Sequence, residues 1–264
     1  MSNKKGKLPD GSFKGYEEIH VPAPKHKPTA ESDFAPLTAP PAWALEALTV
    51  PKLDRVRGEV FPLAFGTDEP ILLFAPTGVG KTNVAMLTIL NELAKDRNKE
   101  TGTFDLDAFS IVYFASMKAR VQEMVEYFKA RLRVFGIKVG ELSQMTKQHI
   151  AETQIIVTTP EKWDVIKRKM TDSSYINLII IDEIHLLHER RPFLESVIAG
   201  TVRWVIRRSK DVRLLGLSPT LPNYEDVATF LRVIRRRAFS PVARRIGLEA
   251  CGLQQQFIGV MLAT

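Results

Sequence analysis

Cysteine is almost absent from this 264-residue chain, with Cys251 as the only one. A single thiol closes no intramolecular disulfide and builds no cysteine-based zinc cluster, which excludes disulfide-stapled scaffolds and Cys-rich metal folds. It fits a reducing compartment such as the cytosol or nucleus. Long apolar runs are missing as well. No stretch reaches the length of about eighteen residues that a helix needs to cross a bilayer, so no membrane partner is expected. The opening MSNKKGKLPDGS is polar and lacks the apolar core of a signal peptide. Neither an internal repeat nor a large low-complexity block is present, which argues against solenoids and arrays.

What remains is ordinary for a globular protein, with 45% hydrophobic and 25% charged residues. The length suits one sizeable α/β domain with extensions. A formal net charge of +7 favours a polyanionic partner, because Lys and Arg displace the counterions around phosphates. It serves solubility equally well, so charge alone decides little.

Three stretches are expected. Residues 1–41 read as a basic, Pro-rich arm, extended or disordered, with Met1 to Lys14 disordered. Pro22, Pro24, Pro28, Pro36, Pro40 and Pro41 hold the rest of the arm extended. Residues 42–233 form the globular domain, and 234–264 an irregular basic segment ending in a candidate strand. Within the domain, short apolar runs alternate with helical patterns. Ile71 to Ala75, Ser110 to Phe114, Gln154 to Thr159, Asn177 to Asp182 and Val212 to Ser218 read as strands, and QFIGVML near the end as a sixth. Helices are expected after Ala75, over Met117 to Phe135, from Pro160, and over about Tyr224 to Val233. Strands apolar on both faces and separated by helices predict an α/β fold, its mostly parallel sheet covered by helices on both sides. Ligands in such folds collect at the carboxyl ends of the strands. The polar and Gly-rich motifs fall at those ends.

Ala75, Pro76, Thr77, Gly78, Val79, Gly80, Lys81 and Thr82 match G-x-x-x-x-G-K-[ST] with Ala at the first position. Such a loop wraps a triphosphate with its backbone N–H groups, and glycines permit the close approach. Lys81 then supplies a compact positive charge between the outer phosphates, and Thr82 is placed to hold Mg²⁺. The bland alternative is a strand-to-helix turn with a chance lysine. Because the motif follows a strand and opens a helix, nucleotide binding is the expected role, with ATP and Mg²⁺ as cofactors.

Asp182 and Glu183 end the strand NLIIID. Asp182 would hold Mg²⁺ through water, and Glu183 would orient and deprotonate the water attacking the γ-phosphate. Adjacent carboxylates can instead simply open a helix and complement its dipole. The phosphate loop in the same chain favours the catalytic reading, with Lys81, Asp182 and Glu183 as the catalytic set. His185 and His188 lie one helical turn apart but lack a third convergent ligand, so a metal site there is not expected. His185 is read as a sensor beside the nucleotide, and His188 as structural.

The tetrad Asp182, Glu183, Ile184, His185, taken with the phosphate loop, resembles the DExH helicases of superfamily two. More narrowly, the chain is similar to the first cassette of the large U5 snRNP helicases of the spliceosome. The stretches that carry the resemblance are GYEEIHVPAPK (15–25), APTGVGKTNVAMLTILNEL (75–93), IAETQIIVTTPEKWDVI (150–166), LIIIDEIHLLHE (178–189) and LPNYEDVATFLRV (221–233). The first is the most specific, because ordinary helicases lack it. The resemblance implies a RecA-like domain that binds ATP and contacts RNA, in the nucleus, among spliceosomal proteins. It also implies nucleic-acid contacts through Ser116, Lys118, Thr159 and Lys162. Trp163 offers an aromatic face for stacking, though core packing is the expected fate. Ser218, Pro219 and Thr220 stand where the family has Ser-Ala-Thr. The two hydroxyls there, with His185, would couple γ-phosphate status to the nucleic-acid face.

Several positions depart from the family. Arg57 stands where a glutamine recognises adenine, and an arginine cannot accept a hydrogen bond. Ser116 replaces a proline, Pro219 an alanine, a Gly-Asp segment is missing after Ser143, and Glu189 to Arg191 is one residue short. Residues 234–252 lose the resemblance, reading as an irregular basic loop or an RNA-binding run. The chain stops at Thr264, where the family continues into a second RecA-like domain that supplies arginine fingers. That second domain, in cis or in trans, is an expected partner, and unwinding by the chain alone is not expected. The expected function is thus an ATP-binding, RNA-contacting half of an RNA helicase with low hydrolysis of its own. The alternative is a non-catalytic interaction module of the spliceosome. A P-loop transferase is a third reading, disfavoured by the DEIH tetrad.

Overall fold

A computed structural model describes residues 2–7, 13–21, 40–48, 55–75, 78, 80–107, 109–167, 176–185, 197–203, 212–219, 224–233 and 255–260. Six strands form the central sheet: β3 (Ile71–Phe74), β4 (Ser110–Phe114), β5 (Val139–Glu141), β6 (Ile155–Thr158), β7 (Ile176–Ile181) and β8 (Arg213–Ser218). Their spatial order is β3-β8-β7-β4-β6-β5, and every adjacent pair runs parallel. The five expected strands of this sheet are all present. The short edge strand β5 was not anticipated; three residues are too few to show a period.

Alternation of side chains explains the two cores. Ile111, Tyr113, Ile155, Val157, Leu178, Ile180, Leu215 and Leu217 turn to one face. Val112, Phe114, Ile156, Ile179, Ile181 and Leu214 turn to the other. A strand that buries both of its faces is apolar along most of its length, as Ile111 to Phe114, Ile155 to Val157 and Leu178 to Ile181 are. The first face is covered by α2 (Arg55–Gly66), α3 (Lys81–Lys95) and α4 (Lys118–Leu132), with α1 (Ala42–Leu45) beyond them. On the second face lie α6 (Pro160–Lys167), the helical residues 197–203 and α7 (Tyr224–Phe230). A short α5 (Lys147–Ala151) precedes β6, with the Thr146 hydroxyl accepting from the His149 N–H at its N-terminus. Trp163 is fully buried and meets Phe114 edge-on, centroids 5.9 Å apart, so core packing is its role.

Arg213 is a large side chain buried at the start of β8. It donates to the carbonyls of Leu63 (2.7 Å), Ala64 (3.0 Å) and Glu69 (3.0 Å). The last carbonyls of a helix have no partner within it, and here one guanidinium ties the end of α2 to the sheet.

Two expectations about the chain ends are corrected. Within the first fourteen residues, expected to be disordered, β1 (Ser2–Lys7) pairs antiparallel with β2 (Phe13–Val21). The expected sixth strand exists as β9 (Gln255–Val260), but it pairs antiparallel with β2 in a separate three-stranded sheet, β1-β2-β9. The segment 13–21, FKGYEEIHV, holds no proline to block a strand. Residues 22–39 and 234–254 of the arm and the basic segment lie outside the described residues.

Candidate active site

The carboxyl ends of β3, β8, β7, β4 and β6 stand side by side, and hydrogen bonds just past the strands lock them in line. Ala75 N–H donates to Ser218 O, Ile184 N–H to Leu217 O, Asp182 N–H to Phe114 O and Ala115 N–H to Thr158 O, each at 2.9 Å. One continuous edge therefore carries the start of the phosphate loop, the acidic pair and the Ser218 hydroxyl.

Both Gly78 (φ 90°) and Gly80 (φ 89°) adopt left-handed backbone, which side chains disfavour. Gly80 caps α3, so Lys81 and Thr82 open the helix with their N–H groups in its unsatisfied first turn. The Lys81 ammonium folds back to Ala75 O at 2.7 Å. Burial lowers its pKa from the ordinary lysine value, with Arg120 adding to that and the charges of Glu183 and Asp182 opposing it. Lys81 thus lies within electrostatic reach of both carboxylates. Pro76, Thr77 and Val79 lie outside the described residues.

Asp182 is buried at the end of β7. Its Oδ2 accepts from the Tyr113 hydroxyl at 2.8 Å and from Arg120 Nε at 3.2 Å. The same guanidinium reaches Thr82 Oγ1 through Nη2 at 3.5 Å. Thr82 and Asp182, on different elements, are therefore joined through one cation. Burial, and then the Asp182 carboxylate, pushes the Tyr113 phenol well up, so it stays a hydrogen-bond donor.

Glu183 has φ 53°, a left-handed conformation uncommon for a residue with a side chain. Its N–H donates to Asp182 Oδ1 at 3.1 Å. Ile184, 1% exposed, anchors the turn in the core, so the strain is held by packing on both sides. His185 Nδ1 lies 3.4 Å from Glu183 Oε2 and 3.2 Å from Ser218 Oγ. It thus bridges the acidic pair and the end of β8. Thr220 and His188 lie outside the described residues, as does the Arg57 side chain at the start of α2.

The residues expected to meet nucleic acid lie further along the same edge. Ser116 is half-buried, while Met117 and Lys118 are exposed where α4 begins. Thr159 is buried, its carbonyl accepting from Trp163 N–H at the start of α6. The Lys162 ammonium pairs with Glu141 Oε1 at 3.0 Å. Ser143 Oγ also bonds Glu141. That hydroxyl, then Lys162 and Lys118, holds the Glu141 carboxyl below its usual range against the effect of burial. Lys118, at the start of α4, and Lys162, on α6, thus both act on the Glu141 carboxylate.

Tyr113, Arg120 and Glu141 escaped the sequence reading. Tyr113 left one signal, a phenol within the apolar run IVYF, since a buried hydroxyl needs a partner. Arg120 left none, because Arg120 and Glu123 look like an ordinary surface pair along a helix.

Residues 55–227 match the DEAD/DEAH box helicase family. The chain is 53% identical to the pre-mRNA-splicing factor brr2 of Schizosaccharomyces pombe over 98% of its length. It is 50% identical to the U5 small nuclear ribonucleoprotein 200 kDa helicase of Homo sapiens over 88% of its length. It spans 12% of the length of each. Among solved structures, the DUF1998 helicase MrfA bound to DNA and AMPPNP shares the RecA-like fold, with a TM-score of 0.54 at 20% identity over 82% of this chain and 30% of that one. With the family matched from the helix before the phosphate loop to α7, and half of the residues shared with those relatives, the chain belongs to the DEAD/DEAH box helicases.

Proposed function

We propose that this chain is the ATP-binding, RNA-contacting N-terminal half of an ATP-dependent RNA helicase of the pre-mRNA-splicing type, at work in the nucleus among spliceosomal proteins. The observation that carries the reading is the junction of the phosphate loop with the acidic strand end. Thr82 and Asp182 share one cation, and Lys81 feels the charge of both Asp182 and Glu183.

Ala75, Pro76, Thr77, Gly78, Val79 and Gly80 would wrap the phosphates, and Lys81 would exchange its bond to Ala75 O for phosphate oxygens. The donor set suits Mg²⁺: a hydroxyl from Thr82 and a carboxylate from Asp182 are hard oxygens, and a cation already sits against both. Magnesium would supply neutralisation of the phosphate charge there. Glu183, raised out of the sheet by its left-handed backbone, orients the attacking water and accepts its proton. His185, between Glu183 and Ser218, carries the state of the phosphate to the end of β8.

Ser116, Lys118, Thr159 and Lys162 form the RNA-facing side, with Lys162 leaving Glu141 for a backbone phosphate. A second RecA-like domain, in cis or in trans, completes the groove and supplies the arginine fingers. The test is Lys81→Ala. Binding of a fluorescent ATP analogue by the full chain weakens about a hundredfold, as loss of a charge-assisted contact implies. Unchanged affinity refutes the site and leaves an interaction module as the reading.

A further inference from the structure

Arg120 belongs to neither the phosphate loop nor the acidic tetrad, yet its guanidinium lies between them. Nε meets Asp182 Oδ2 at 3.2 Å, Nη2 meets Thr82 Oγ1 at 3.5 Å, and Nη1 meets Glu123 Oε1 at 2.5 Å. These first two oxygens are the ones assigned to the metal. The side chain is 27% exposed and its carboxylate partner Asp182 only 3%, so water screens the attraction poorly. A guanidinium keeps its charge throughout the working range of pH. Tyr113 fixes the Asp182 carboxylate from the sheet side, donating to the same Oδ2. Glu123, 61% exposed, stands on the solvent side of Arg120 and offers it a place to retreat.

We propose that Arg120 is a built-in occupant of the magnesium position, which metal-bearing nucleotide must displace, so that this side chain sets the magnesium concentration at which the site loads. The inference rests on the nucleotide reading given above. A divalent ion against Thr82 and Asp182 would place like charge beside the guanidinium, so the two cannot share the same oxygens. Arg120 then leaves Asp182 and Thr82 while keeping its bond to Glu123, and the apparent affinity for the metal is reduced by the fraction of time the arginine is in place.

The experiment titrates free magnesium at fixed fluorescent ATP analogue, using the full chain and its Arg120→Gln and Arg120→Met variants. If the guanidinium holds the position about nine-tenths of the time, both variants reach half-saturation at about a tenth of the wild-type magnesium concentration. An unchanged midpoint overturns the proposal while leaving the nucleotide site intact. Binding of the analogue in EDTA that the variants lose also overturns it, since the guanidinium would then be replacing the metal. No binding by the wild type at any magnesium level overturns this proposal and the nucleotide reading together. A second measurement needs no variant: the ¹⁵N resonance of Arg120 Nε shifts when magnesium and the analogue are added to the wild type. A resonance that stays in place sinks the idea.

Discussion

At the scale of single residues, the turn after β7 shows how four neighbours receive four different tasks. Asp182 is buried and hydrogen-bonded, Glu183 is lifted out by a left-handed backbone, Ile184 is sunk in the core, and His185 turns to Ser218. Changing Glu183 to Gln keeps the shape and removes the proposed proton acceptor. Single-turnover hydrolysis is expected to fall by about 10²- to 10⁴-fold, with nucleotide affinity unchanged in an equilibrium titration. A matching loss of affinity would assign Glu183 to binding instead.

Among the elements, α2 and α3 are held by buried charge. Arg213→Met leaves the carbonyls of Leu63, Ala64 and Glu69 without their donor. We expect a loss of about 3 kcal/mol in urea unfolding. On α3, Glu92 is 1% exposed, its Oε2 bonded to Lys95 at 2.8 Å and its Oε1 without a partner among the described residues. Burial pushes its carboxyl up from 4.5, outweighing Lys95. A carboxyl with a raised folded-state pKa contributes stability that is full below its unfolded value and lost as pH rises through the folded one. Glu92→Met should remove that loss. Its melting temperature relative to wild type is expected to improve by a few degrees between pH 4 and pH 8, as thermal scans would show. A constant difference across that range would clear Glu92 of the role.

For the molecule as a whole, the proposed function gives this one RecA-like domain only one wall of a nucleotide and RNA cleft. The chain spans 12% of the length of the relatives named above. By itself it should show little RNA-stimulated turnover. Joined to a second RecA-like domain of such a relative, turnover should rise by about 10³-fold or more, the scale of an arginine finger. Robust RNA-stimulated turnover by the unaided chain, in a steady-state assay, would count against the half-domain reading.

The linear order of residues by itself determined the parallel sheet and both halves of the candidate site. The run Leu178 to Ile181 is apolar at every position because both faces are covered, and G-x-G-K-T needs only local backbone freedom to bend around phosphate. These are short-range consequences, legible without neighbours. Only the tertiary structure decided that Arg120 lies between Thr82 and Asp182, that Lys162 is paired with Glu141, and that β9 joins β2 rather than the main sheet. Each of these joins residues 21 or more positions apart. Such contacts depend on strand order, which puts β8 and β7 between β3 and β4, and no local pattern encodes that order.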